Sequence, residues 1–428
     1  MLNGTLASVV ESLSARIARK SAVVGVVGLG AVGSVSAALI DAAGFRVLGL
    51  DRSGRRLEEL RRLPEYGHIE MGSDPAVLAD ADVVMVAVRV ETSDDGTDVR
   101  SARAAFQSLR EHARKPLLIL FESTVPPGTT RELAGECFGD NSLQAALVAH
   151  CPERLRVGDD ADCIRATPRL VGGMSAKATA LSVQFLEQIG ITAVASSNPE
   201  TTELAKLLEH ACLTTGIALM GEITRIAHRL GLSAQEVATA AATKPHGYFA
   251  FRPGAGIGGH CLINDLRMLR SAADSVGVDS QLLAGVQMAA DRLTETVVTR
   301  LESLLRANSM PIDGATVCIV GVGFKPDSPD ITNTPAIDLT RELRARGASV
   351  VYSDSLVPDF AVDGTALTRI TTPTIVDKLE AVLLLSGDRQ IDMAAVVARV
   401  PITLDASGRL VLEEHRLRRG RQRGERAS

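Results

Sequence analysis

Nothing in this 428-residue chain is apolar for long enough to cross a bilayer; its longest apolar runs, such as Ser21 to Leu29, are short and broken by glycine. A strong charge of one sign is also missing. The net charge of −5, from 46 basic and 51 acidic residues, gives no general attraction for nucleic acid or an anionic membrane. The six cysteines (Cys137, Cys151, Cys163, Cys212, Cys261, Cys318) show neither metal-ligand spacing nor a disulfide framework. No metal is therefore expected, and a reducing, cytoplasmic compartment is. Tryptophan is absent while Arg and Ala abound, a composition in keeping with a high-GC bacterial source. Residues 1–20 read as an amphipathic helical extension (Leu6, Val9, Val10, Leu13, Ile17) with Arg16, Arg19 and Lys20 at its end, the reverse of the order in a secretory signal. No repeat of 20 to 50 residues is evident. What is present, 46% hydrophobic residues with mixed charge, describes a soluble globular protein too long for one core, with two or three domains.

Residues 22–51 combine an apolar run, Gly28-Leu29-Gly30-Ala31-Val32-Gly33, an Ala-rich helix and a second apolar run ending in Asp51. This is the order of a dinucleotide fingerprint. Gly28 allows the tight turn, Gly30 a close approach to the pyrophosphate, and Gly33 close helix–strand packing. Asp51 would accept from the ribose hydroxyls and favour NAD over NADP, a preference that Arg52 and Arg56 soften. Continuous apolar runs at 80–88 and 117–121 read as buried parallel strands. The first ends at Val88. The second leads into Ser123-Thr124-Val-Pro-Pro-Gly-Thr129, a loop at the carboxyl edge of the sheet, where open α/β folds bind ligands. A further strand, 145–148, runs into Pro152-Glu153-Arg154-Leu155, and Pro168-Arg-Leu-Val-Gly-Gly173 comes next.

From Pro199 to about Ala307 the pattern is long helices. Lys206 and His210 lie one turn apart in the first, and a helix over roughly 280–308 is the last. Between them four glycines (Gly254, Gly256, Gly258, Gly259) lead into Cys261, where a helix is expected to begin. A thiol in that first turn sits in the positive end of the peptide dipoles, which favours thiolate. Asp265, four residues on, shares its face. Taken alone, the stretch reads more readily as a glycine turn before an inert buried cysteine, since buried free cysteines are common. After residue 315 a second βαβ unit opens at Gly321-Val-Gly-Phe324-Lys325, its helix starting at Thr334-Pro335. With two glycines and a long loop, it is not expected to hold a second dinucleotide. The Arg- and Gly-rich end, 415–428, is expected to be disordered.

Taken together, Gly258-Gly-His-Cys261-Leu-Ile-Asn-Asp265, the preceding run from Ala241, the Ser-Thr-Val-Pro-Pro-Gly-Thr loop and Pro-Glu-Arg resemble the nucleotide-sugar 6-dehydrogenases of the UDP-glucose/GDP-mannose dehydrogenase family. The branch acting on UDP-N-acetylhexosamines is the most similar. The resemblance covers about 22–410, in family order. It implies an α/β fold of two Rossmann-like, doubly wound parallel-sheet domains (1–198 and 311–414) joined by a central helical dimerisation region (199–310). It also implies NAD as cofactor and a UDP-sugar, such as UDP-GlcNAc, oxidised at C6 by four electrons.

The implied catalytic set is Cys261, Lys206, Asp265, Glu153, Thr124 and His210. Cys261 forms a thiohemiacetal and then a thioester; Lys206, Asp265 and Thr124 manage the water; Lys206 and His210 hold the oxyanion; Glu153 promotes hydrolysis. Val88, Ser123 and Thr124 join the glycine loop in holding NAD. Glu153, Arg154, Leu155, Lys206, His210, Tyr248, Arg252, Gly254, Gly256, Gly258, Phe324 and Lys325 face the substrate. The chain departs from the pattern at His210 and Thr332, where the family carries Asn and Arg, and at Gly221, where it carries Asn. Two alternatives stand beside this reading: a diverged enzyme that takes another UDP-hexose or stops at the aldehyde, and a non-catalytic paralogue that binds the sugar nucleotide.

Overall fold

The computed structural model describes residues 12–93, 96–139, 146–154, 161–370, 379–387, 390–391, 396–397 and 399–407. The first eleven residues, Leu155 and the basic end 415–428 lie outside them. The chain divides into two compact units, Met1–Glu209 with Arg267–Asp279, and His210–Leu266 with Ser280–Ser428.

Among the described residues the first unit holds ten strands: β1 (Val23–Val27), β2 (Arg46–Leu50), β3 (Glu70–Gly72), β4 (Val83–Val86), the hairpin β5 (Glu91–Ser93) and β6 (Gly96–Asp98), β7 (Leu117–Phe121), β8 (Ala146–His150), β9 (Arg169–Gly173) and β10 (Ala193–Ser196). Eight form one sheet in the order β10-β9-β8-β7-β4-β1-β2-β3. Its inner strands β4, β7 and β8 are buried on both faces because both faces are covered. Val83 and Met85 of β4 enter one core, and Val84 and Val86 the other. The helix over residues 12–18 closes one of these cores with Leu13 and Ile17, and its Arg16 lies 2.7 Å from buried Asp82. One neighbouring pair in this otherwise parallel sheet departs from the pattern. β8 and β9 pair antiparallel, with His150 opposite Gly172, so β9 and β10 run against the rest.

The second unit holds β11 (Thr316–Val320), β12 (Ser349–Ser353), the small hairpin β13 (Ala361–Val362) and β14 (Thr365–Ala366), β15 (Thr368–Arg369), β16 (Ala381–Leu384) and β17 (Ile402–Asp405). Five of these make a parallel sheet, β15-β12-β11-β16-β17. The helices Leu293–Ala307 and Pro335–Ala345 pack on it, and Thr334 caps the second by accepting at its hydroxyl from Ala336 N. The single helix expected over 280–308 is in fact two, Gln281–Asp291 and Leu293–Ala307. They part at Arg292, whose φ of −89° and ψ of −2° depart from the usual helical values.

The long helix Pro199–Arg229 runs for 31 residues. In the second unit its glycines are contact points. A Cβ on Gly216 would fall 2.1 Å from the Phe251 ring, and one on Gly221 would fall 2.1 Å from Leu293 Cδ2. The replacement of the family's asparagine by Gly221 is thus a packing matter. A larger residue would push the Leu293–Ala307 helix away.

Candidate active site and cofactor cradle

The first unit carries a nucleotide cradle at the carboxyl ends of β1 and β2. Gly28 turns with φ of 86°, and a Cβ there would strike the Ala87 carbonyl at 2.7 Å. Gly33 opens the helix Gly33–Ala42 so close to the turn that a Cβ would lie 1.9 Å from Gly28 O. Gly30 is exposed and has open space where its Cβ would be. These are the tight turn, the close packing and the clear approach that a pyrophosphate on a helix N-terminus requires, so the residues fit a dinucleotide. Ala31 is exposed and Val32 half-buried beside that approach.

Asp51 steadies the turn by accepting from Leu29 N at 2.8 Å and Ser53 N at 2.8 Å. Arg56 is folded onto the same turn, donating from Nε to Leu29 O (2.8 Å) and from Nη2 to Ser34 Oγ (3.2 Å). Its guanidinium is thereby committed to protein atoms, which leaves exposed Arg52 as the basic neighbour that faces solvent.

Further along the sheet edge, Ser123 Oγ donates to Val88 O at 2.6 Å, so the two strand-end loops expected at the cofactor are tied together. The Thr124 loop is held from below by Glu203. This buried carboxylate accepts from Gly128 N (2.6 Å), Thr130 N (2.8 Å) and Thr130 Oγ1 (2.6 Å), and burial pushes its pKa above the usual range. His150, fully buried, bridges Ser123 O (3.1 Å) and Thr202 Oγ1 (2.8 Å); burial lowers its pKa to about 4, so it is neutral at pH 7.

Glu153 does not stand alone. Arg169, at the start of β9, spans from Glu122 (Nη1 to Oε1, 2.5 Å) to Glu153, whose other oxygen accepts from Arg154 N at 2.7 Å. Burial drives Glu122 up to about 7 against the pull of Arg169, and the nearby Glu153 charge adds to the rise. Sequence reasoning gave Arg169, Glu122, His150 and Glu203 no role. The one available signal was a charged residue opening an otherwise apolar strand. Arg154 reaches Glu209 (2.8 Å), and Lys206 is buried with 5% of its surface exposed.

In the second unit the helix Cys261–Ser275 begins at the thiol, as expected, and Cys261 is exposed. Asp265, buried on its next turn, receives His210: Nδ1 lies 2.5 Å from Oδ2. The glycine loop before Cys261 rests on the loop after β11. Gly259 N donates to Thr332 O at 3.0 Å, and Asn333 Nδ2 donates to Gly259 O at 3.2 Å. A Cβ on Gly256 would meet Pro335 at 2.9 Å, and one on Gly258 would meet Phe324 at 2.6 Å. The glycines here serve protein packing, and Gly254 alone of the three substrate candidates has open space. Lys325 folds its ammonium to 5.7 Å from the Phe324 ring centre. Tyr248 is half-buried and Arg252 exposed just ahead of the loop. Among the described residues no cluster of His, Cys, Asp or Glu is arranged for a metal, and no helix is long and apolar enough to cross a membrane.

A dinucleotide cradle, an exposed thiol at a helix start and a second Rossmann-like unit describe a pyridine-nucleotide oxidoreductase. The chain belongs to the UDP-glucose/GDP-mannose dehydrogenase family, whose NAD binding, central and UDP binding domains match residues 65–189, 200–291 and 318–410. It is 28% identical over 341 residues to a UDP-N-acetyl-D-mannosamine dehydrogenase of Pyrococcus horikoshii, covering 75% of this chain and 80% of that one. To a UDP-N-acetyl-D-glucosamine 6-dehydrogenase of Pseudomonas aeruginosa it is 27% identical over 371 residues, covering 82% and 87%. Its fold is that of the P. horikoshii UDP-D-ManNAc dehydrogenase structure, with a TM-score of 0.81 at 22% identity, over 92% of this chain and 97% of that one. The protein is an NAD-dependent nucleotide-sugar dehydrogenase.

Proposed function

We propose that the chain oxidises the C6 primary alcohol of a UDP-N-acetylhexosamine, UDP-GlcNAc or a close relative, to the acid through a thiohemiacetal and a thioester on Cys261. The observation that carries this reading is the exposed thiol at the first residue of a helix, with a buried carboxylate on its next turn and a glycine loop leading in. NAD, when bound, accepts the electrons of both oxidations.

The chain's residues then divide the remaining work. Lys206, Thr124 and Asp265 hold the water that takes the alcohol proton. Cys261 retains the aldehyde covalently between the two oxidations. Lys206 and His210 face the oxyanion, and Glu153, anchored on Arg169, promotes hydrolysis. Phe324, Lys325, Tyr248 and Arg252 select the sugar nucleotide. In this reading residues 1–198 serve NAD, 199–310 carry the thiol and lysine, and 311–414 serve the nucleotide. The six thiols, none in a disulfide, suit a cytoplasmic enzyme.

The working form in this reading is a homodimer through the central helix. Leu204, Leu208, Leu219 and Ile226 are all exposed there, and their spacing keeps them on one face of a straight helix.

The test is NADH formed per sugar consumed, with UDP-GlcNAc, UDP-ManNAc and UDP-glucose, for the wild type and Cys261→Ser. Two NADH per UDP-N-acetylhexosamine, lost in the variant, is the expected result. One NADH with a trappable aldehyde overturns the four-electron reading, and binding without turnover on any sugar overturns catalysis altogether.

A further inference from the structure

The family's amide position is occupied here by an imidazole, and the imidazole has a carboxylate behind it. We infer that His210, oriented by Asp265, is the proton acceptor for Cys261. The inference rests on Cys261 being the nucleophile.

The placement comes from helix geometry. Asp265 is one turn after Cys261 in the helix that Cys261 begins. Side chains on a helix lean toward its N-terminus, so the Asp265 carboxylate and its partner stand over the turn that carries the thiol. An ionised carboxylate only accepts hydrogen bonds, so at 2.5 Å the hydrogen belongs to His210 Nδ1. That fixes the tautomer and puts the lone pair on Nε2. The pair is shielded without being sealed: the His210 side chain is 16% exposed and that of Asp265 4%. The Thr214 hydroxyl holds the His210 carbonyl at 2.8 Å, on the same helix.

An amide at this position could donate a hydrogen bond but could not take a proton. The charged and titratable groups to weigh with the imidazole are Asp265, which it contacts, Cys261 and His260 at the start of the Asp265 helix, and Lys206 one turn earlier in sequence on its own helix. Glu209, the preceding residue, is taken up by Arg154.

In the addition step the Sγ–H bond breaks and its proton passes to Nε2. The sulfur pair forms the S–C6 bond, and the carbonyl π pair moves onto oxygen. The imidazolium, now a donor at both nitrogens, returns the proton to that oxygen. The products are a neutral thiohemiacetal and a neutral imidazole, with no net change in oxidation state. One residue thus supplies both the base and the oxyanion donor.

The test is alkylation of the full chain by iodoacetamide between pH 5 and 10, without sugar or NAD, followed by peptide mass spectrometry. At pH 7, Cys261 is expected to react ~10-fold more slowly in His210→Asn, with its midpoint moved up by about a pH unit, because the proton acceptor is gone. Asp265→Asn keeps the imidazole but not its tautomer and is expected to lose part of the rate. Exposed Cys212 serves as the unchanged control, and buried Cys151 and Cys318 report any misfolding. If a variant labels Cys151 or Cys318, the folded fraction, isolated by size exclusion, is compared instead. Superimposable Cys261 profiles in wild type and His210→Asn overturn the inference. A Cys261→Ser enzyme that still yields two NADH per sugar overturns the nucleophile reading, whatever the alkylation shows.

Discussion

The two βαβ halves of this protein share a turn and differ in a loop. In the first, Gly28 comes after β1 with φ of 86°, donates to Leu50 O at 2.8 Å, and leaves Asp51 to catch Leu29 N. In the second, Gly321 comes after β11 with φ of 76°, donates to Ser353 O at 2.9 Å, and leaves Asp354 to catch Val322 N at 2.8 Å. Even the close approach is repeated: a Cβ on Gly28 would meet Ala87 O and one on Gly321 would meet Ser386 O, each just past the neighbouring strand. Beyond the turn the two halves diverge. After Gly28 the helix begins at Gly33, and its N-terminus carries no side-chain cap. After Gly321 the chain runs to Thr334 before its helix begins, with positive φ at Asp327 (54°) and Asn333 (44°). That loop fills the space with Phe324 and Lys325 and takes the glycine stretch before Cys261 as its own partner. The turn alone therefore does not choose a dinucleotide. What differs is the distance from turn to helix.

The sharpest way to break this comparison is to put a methyl group at a close backbone approach in each half. Gly33→Ala places a Cβ 1.9 Å from Gly28 O and is expected to weaken NAD binding by ~100-fold, about 3 kcal/mol, with UDP binding unchanged by calorimetry. Gly321→Ala, 2.3 Å from Ser386 O at a positive φ, is expected to do the reverse. Equal losses of both ligands in either variant would remove the independence of the halves.

A smaller effect separates the two acids. Asp354 is 6% exposed and accepts from Val322, Gly323, Leu356 and Val357. Asp51 is half-buried and accepts from Leu29 and Ser53. Replacement by Asn is expected to cost about 3 kcal/mol of stability at Asp354 and about 1 kcal/mol at Asp51 in denaturant melts. The Asp51 change falls mainly on NAD affinity.

The smallest expected effect is a pH dependence confined to the first half. Glu122, raised to about 7, binds more protons folded than unfolded, so its contribution to stability is present below its ordinary pKa near 4.5 and is lost as pH rises toward 7. His150, lowered to about 4, binds fewer protons folded, so its contribution is present above its ordinary pKa near 6.5 and is lost as pH falls toward 4. Between roughly pH 4.5 and 6.5 the two slopes oppose each other, each at most about 1.4 kcal/mol per pH unit. Glu203, also raised by burial, adds to the Glu122 slope, so wild-type melts are expected to depend on pH less steeply than those of His150→Gln. Relative to the wild type, Glu122→Gln is expected to tilt stability upward with pH, and His150→Gln downward. A His150→Gln melt that keeps the wild-type pH dependence would show that the burial of His150 carries no such slope.

How far the sequence carried depended on range. Strand, turn, helix and acid at 23–51 were readable because each signal is local, and so was the start of a helix at Cys261. The Thr334-Pro335 cap was legible for the same reason. The break at Arg292 was not, since neither glycine nor proline marks it. The antiparallel β9 was hidden because a buried strand reads the same in either direction. Arg169 looked like an ordinary flank of an apolar strand until β9 set it between two carboxylates. His210 was seen as a departure from a motif. That it pairs with Asp265, 55 residues away, is information held only by the packing of two helices.

The buried thiols turn each half into its own stopwatch. Cys151 directly follows β8, Cys318 lies inside β11, and burial holds both thiols well above their ordinary pKa. Neither can meet a reagent until its own sheet opens. Timed labelling of one unaltered sample would clock the opening of the two halves separately, and show which of them yields first.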